Sequence, residues 1–115
     1  MAGFKDYLPL LRKYLELLKR TLGSDLISMC VFGGVVRNEV SEGSDIDLLL
    51  VIKGLPPDIG SRIEAVWDAR RALRHTQAYK ELRRRGLLTA ISEVILTPEE
   101  VKNIHQYFST YVLKV

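Results

Sequence analysis

Two aspartates and two glycines are the residues of this chain whose types and spacing could do chemistry. Asp45 and Asp47 are separated by Ile46 and open a long apolar run, Leu48-Leu49-Leu50-Val51. In an extended strand a spacing of two puts both carboxylates on one face, with Ile46 on the other. Two carboxylates held that close repel, unless a cation lies between them or one is protonated. A hard divalent ion with oxygen ligands suits such a pair, and Mg²⁺ is often held this way with substrate phosphates filling its other positions. The structural alternative is that Asp45 caps a turn and Asp47 faces solvent on an edge strand. Upstream, Gly33 and Gly34 end another apolar run, with ten residues between Gly34 and Asp45. Paired glycines let the backbone approach a ligand and aim N–H groups at phosphate oxygens. A short helix starting near Val35 would add its N-terminal dipole. The alternative is a glycine turn and nothing more.

The elements that must position these residues follow from periodicity. Tyr7, Leu10, Leu11, Tyr14, Leu15, Leu18 and Leu22 recur at three- and four-residue steps, so a helix is predicted with Asp6 as cap and Gly23 as stop. Strands are predicted over 26–32 and 46–52, with a turn or short helix over 35–43. A second helical region opens on a capping box of Ser61 and Glu64 and has Ile63, Val66, Trp67 and Leu73 as its apolar stripe. Thr76 can cap a further helix containing Tyr79 and Leu82, ended by Gly86. A third strand is predicted over 87–96. Thr97-Pro98-Glu99-Glu100 then starts a helix expected to reach about Phe108, and the tail 110–115 is read as strand or frayed end. Strands alternating with helices predict an α/β (α+β) fold, a small mixed sheet flanked by helices.

The segment from Val31 to Val51 resembles the signature of the nucleotidyltransferase superfamily, whose members include the polymerase β palm. That signature is a hydrophobic residue, Gly, Gly or Ser, about ten residues, then Asp-x-Asp. The stretch Ser44-Asp45-Ile46-Asp47-Leu48-Leu49-Leu50-Val51, with Arg37, is similar to the short stand-alone members called minimal nucleotidyltransferases. A weaker likeness covers Ile91 to Glu100. The resemblance implies a palm-like fold and a Mg²⁺- or Mn²⁺-dependent transfer of a nucleoside monophosphate from a triphosphate, expected to be ATP, to a hydroxyl. It implies Asp45 and Asp47 as metal ligands, and Gly33, Gly34, Arg37 and Ser44 as nucleotide contacts. For Arg37 a salt bridge to Glu39 or Glu42 is the competing reading. It further implies a helical HEPN-type partner, as in antitoxin-like pairs, or a homo-oligomer.

Two departures stand out. Gly34 replaces the serine found in many members, which removes one hydroxyl from the phosphate cradle. The family's third carboxylate sits on a later strand, where the only acid here is Glu93. Glu93 is therefore the candidate third carboxylate, a catalytic residue that would complete the metal site or serve as base, with a surface residue on an edge strand as the other reading. If Glu93 does not serve, the alternative function is a catalytically weakened module that binds nucleotide or partner.

Composition narrows the rest. A chain of 115 residues predicts one domain over 1–115. One cysteine excludes a disulfide framework and a four-thiolate metal site, and Cys30 reads as a small buried hydrophobe. No apolar run nears the ~20 residues of a membrane span, and Lys5 and Asp6 interrupt any signal core, so a cytoplasmic protein is expected. His75 and His105 have no ligand-like spacing. Between Arg62 and Arg85 eight basic residues face three acids, a stripe read as a solvated helix face ahead of a nucleic-acid surface.

Overall fold

A computed structural model describes residues 3–34, 45–87, 90–102 and 110–113, the last by backbone alone. The predicted element over 35–43, the helix end at Phe108, and Arg37 and Ser44 lie outside the described residues.

Helix α1 spans Phe4–Leu22, and its buried stripe is Tyr7, Leu10, Leu11, Tyr14, Leu15 and Leu18. Burying leucines of this kind contributes roughly 1.5–3 kcal/mol each, so this helix anchors the core. Pro9 lies within it, in the second turn, where it has no N–H to offer the Lys5 carbonyl. Strand β1 is Leu26–Phe32 and β2 is Ile46–Ile52, as predicted. Helix α2 runs Ile59–Leu73, starting before the predicted capping box. Its cap is Asp58, whose carboxylate accepts from the Ser61 N–H at 2.9 Å. Helix α3 is Gln77–Arg84, capped by Thr76. Strand β3 is Ile91–Leu96, shorter than predicted. The short helix α4, Pro98–Val101, has the expected box, with Thr97 and Glu100 bonded reciprocally. Strand β4 is Thr110–Leu113.

The strands form one mixed sheet in the order β3-β2-β1-β4. β1 pairs antiparallel with β2 and β4, and β2 pairs parallel with β3. One face packs Leu26, Met29, Val31, Ile46, Leu48, Leu50 and Ile52 into a single cluster with α1 and with Val66, Ala69, Leu73 and Leu82 from α2 and α3. Period two sends Cys30, Phe32, Asp47, Leu49, Val51, Ser92 and Val94 to the second face. Cys30 is half-buried there rather than a core residue.

The stripe expected on α2 is split. Val66 and Leu73 are buried, but Ile63 and Trp67 are 39% and 49% exposed, and Ile59 is 75% exposed. The buried place goes instead to Arg62, which donates from Nε to the Pro56 carbonyl at 2.7 Å and from Nη1 to the Ile95 carbonyl at 3.1 Å. Nη1 also meets Glu100 at 2.7 Å, and Arg62 together with the Thr97 cap holds the Glu100 carboxyl down at about 2. The basic stripe is thus not one solvated face: Arg62 is a bolt between α2, β3 and α4.

Candidate active site

Asp45 is exposed immediately before β2, and Asp47 is half-buried on the second face of the sheet. Burial, and then the charge of Asp45, push the Asp47 carboxyl above its ordinary range. Asp47 pairs with Phe32 across β1, so the residue after Phe32 arrives at the carboxylate. That residue is Gly33, with φ +78°, and a Cβ placed on it would lie 2.4 Å from Asp47 Oδ2. The glycine is required twice, by its left-handed backbone and by the carboxylate against it. Gly34 follows in the same turn. The structure therefore brings Gly33, Gly34 and Asp47 together at one corner, with Asp45 one pleat away.

Glu93 does not join them. The parallel register places Glu93 beside Leu48 and Ser92 beside Asp47. Neighbours in register share a face, so Glu93 enters the helix-packed core and Ser92 takes the place beside the aspartate. The Glu93 side chain is 4% exposed, and its Oε1 lies 3.4 Å from Arg70 Nε. Its Oε2 accepts from the Tyr14 hydroxyl at 2.7 Å. Burial raises the Glu93 carboxyl, against the opposing pull of Tyr14 and Arg70. Burial and the Glu93 charge raise the Tyr14 phenol in turn. The expectation that Glu93 is a third metal ligand is corrected by this register, and so is its alternative as a surface residue. Ser92 was missed, because the sequence shows strand alternation but not the register between strands.

The donor set fits one divalent cation. Two carboxylates supply hard oxygen ligands on one face, and Gly33 has no side chain to collide with Asp47 Oδ2. The described residues hold no group of three or more His, Cys, Asp or Glu suited to a metal.

The sequence profile of the nucleotidyltransferase domain matches residues 11–109. The chain belongs to the nucleotidyltransferase family. A curated relative from Methanocaldococcus jannaschii, named for protein adenylyltransferase activity, is 43% identical over 47 residues. Those residues are 41% of this nucleotidyltransferase chain and 32% of that protein's length. A crystal structure from Sulfolobus solfataricus, of a protein named as a nucleotidyltransferase, shares the fold with a TM-score of 0.57 at 17% identity. The superposition covers 94% of this chain and 82% of that one. The expected fold and family hold, and no helix among the described residues is long and apolar enough to cross a membrane.

Proposed function

We propose that this nucleotidyltransferase domain moves a nucleoside monophosphate from a nucleoside triphosphate, ATP by preference, to a hydroxyl acceptor. The observation that carries the proposal is the glycine turn seated on Asp47, which joins a phosphate cradle to a carboxylate pair at one corner of the sheet. Asp45 and Asp47 would hold one divalent cation, Mg²⁺ or Mn²⁺. When bound, such an ion neutralises triphosphate charge and favours in-line displacement. Gly33 and Gly34 would let the triphosphate lie close against the backbone, with Arg37 and Ser44 as further nucleotide contacts. The acceptor oxygen bonds to the α-phosphorus as the bond from that phosphorus to the departing pyrophosphate breaks. Glu93, bonded to Tyr14 on the opposite face, takes no part.

A second reading, a nucleotide- or partner-binding member with weak turnover, is favoured by Ser92 standing where a third carboxylate would complete the pair. Transfer of α-labelled nucleotide and release of pyrophosphate, measured with Mg²⁺ and with Mn²⁺, separate the two. The transfer reading expects turnover that falls by more than about 100-fold in Asp45→Asn/Asp47→Asn and rises in Ser92→Asp. Triphosphate binding with no turnover in the wild type establishes the second reading.

The acceptor-bearing partner we propose is a helical protein of the HEPN type. The exposed stripe Ile59, Ile63 and Trp67, at four-residue steps along α2, supports such a contact.

A further inference from the structure

Across the sheet from the carboxylate pair lies a cavity of about 310 Å³ lined by Arg70, Leu73, Arg74, Tyr79, Arg83, Ala90 and Ile91. Two helices build it by the same spacing. Arg70 on α2 and Arg74, which caps its C-terminus in helical conformation, are four residues apart, and Tyr79 and Arg83 are four apart on α3. Side chains at that spacing share a helix face, so both helices aim a guanidinium and a second polar group into one space. Leu73 and the first residue of β3, Ile91, close it.

The three arginines are not equivalent. Arg70 is fixed: Nη2 donates to the Ile91 carbonyl at 3.1 Å, and Nε faces Glu93 at 3.4 Å. Arg74 and Arg83 make no ion pair with any described residue, whereas Arg71, Arg84 and Arg85 are matched by Asp68, Glu81 and Asp6. Among the described residues no carboxylate lines the cavity, and Glu93, 3.4 Å from Arg70 Nε, is paired with that arginine and accepts from Tyr14. The positive charge left facing the space therefore belongs to Arg74 and Arg83.

We propose that this cavity is a binding site for a phosphate-bearing small molecule, with Arg74 and Arg83 gripping the phosphate and Arg70 fixed at its wall. Guanidinium pairs with phosphate through parallel charge-assisted hydrogen bonds, so a phosphate suits this arginine-rich lining better than a neutral ligand would. The volume sits at the lower end of the roughly 300–1,000 Å³ typical of small-ligand sites. The site is separate from the acidic pair, because it lies on the helix side of the sheet and calls for no metal. The two are mechanically adjacent, since the Ile46 N–H donates to the Ala90 carbonyl at 2.9 Å, joining the cavity wall to the residue between the two aspartates.

The test is calorimetry on the full chain carrying Asp45→Asn/Asp47→Asn, in chelator, with inorganic phosphate, pyrophosphate and AMP as probes. This background removes the metal-dependent site, so its outcome is independent of whether nucleotidyl transfer occurs. Saturable binding is expected, and Arg74→Gln/Arg83→Gln should weaken it at least tenfold. Arg74→Lys/Arg83→Lys should restore part of it, which shows that the loss is of charge at the site rather than of fold. AMP binding well ahead of phosphate identifies a nucleotide as the source, and equal binding identifies the phosphate group alone. Arg12→Gln/Lys19→Gln, on the exposed side of α1, should leave affinity unchanged. No saturable binding, an unaffected Arg74→Gln/Arg83→Gln variant, or an equal loss in the α1 control overturns the proposal.

Discussion

Asp47 and Glu93 stand on neighbouring parallel strands, one register step apart, and have opposite surroundings. Asp47 faces the second side of the sheet beside Ser92, with a glycine turn against its oxygen. Glu93 faces the core beside Leu48, with a tyrosine hydroxyl and a guanidinium on its oxygens. Both carboxyls are raised chiefly by burial, yet what surrounds them differs in kind. Beside Asp47 the second contribution is another negative charge, Asp45, which a cation would relieve. Beside Glu93 the neighbours are donors: Tyr14 bonds Oε2, and the Arg70 guanidinium faces Oε1 as a counter-charge, though without a hydrogen bond. The lesson is that a raised carboxyl marks a ligand site only where its neighbours leave a charge unanswered.

The contrast breaks most severely at Gly33. Gly33→Ala must strain a backbone at φ +78° and push the Asp47 carboxylate aside. Displacing a reacting group by about 1 Å can cost on the order of 100-fold in rate. Turnover in Gly33→Ala should fall on that scale, and the left-handed backbone should add roughly 1–2 kcal/mol of destabilisation in urea unfolding. A fully active Gly33→Ala protein would show that the glycine turn does not shape the site.

A smaller effect is expected on the core side. Tyr14→Phe removes the hydroxyl that donates to Glu93 and leaves a buried oxygen without it. Urea unfolding should register a loss of about 1–3 kcal/mol, with nucleotide transfer changed by less than about twofold. A large loss of transfer at unchanged stability would move Glu93 back into the site.

The smallest effect is a trend with pH. Glu93 has a folded carboxyl raised above its unfolded value. Its native state is favoured while protonated, and that advantage is lost as pH rises from the unfolded carboxylate range through the raised value. Glu93→Gln cannot ionise there, so wild-type stability should decline relative to this variant as pH rises through that window. A gap between the two proteins that stays constant from acid to neutral pH would mean the carboxyl is not raised.

Much of this was legible in the residues. Tyr7 to Leu22 repeat at helical steps, Gly23 ends them, and β1 and β2 begin and end where apolar runs meet Gly33 and Asp45. Thr76 and Thr97 cap as their side chains and positions require. Three features were not legible, each for a physical reason. Inter-strand register is set by tertiary packing, so alternation alone left the direction of Glu93 open. Arg62 reads as a surface cation, but three acceptors from Pro56, Ile95 and Glu100 make its burial tolerable. Trp67 fits an apolar stripe, yet lies half-exposed with Arg71 over its ring at 5.8 Å, because Val66 and Ala69 occupy the packed side of α2.

The central claim is that the site consists of the carboxylate pair on the second face and excludes the core carboxylate. Thermal unfolding with Mg²⁺ or Mn²⁺ plus nucleoside triphosphate tests it most directly, since a ligand specific to the folded state raises the midpoint by mass action. The ligand-induced rise should be present in the wild type, absent in Asp45→Asn/Asp47→Asn, and retained in Glu93→Gln. A rise that survives the loss of both aspartates, or vanishes with Glu93 alone, would contradict the account.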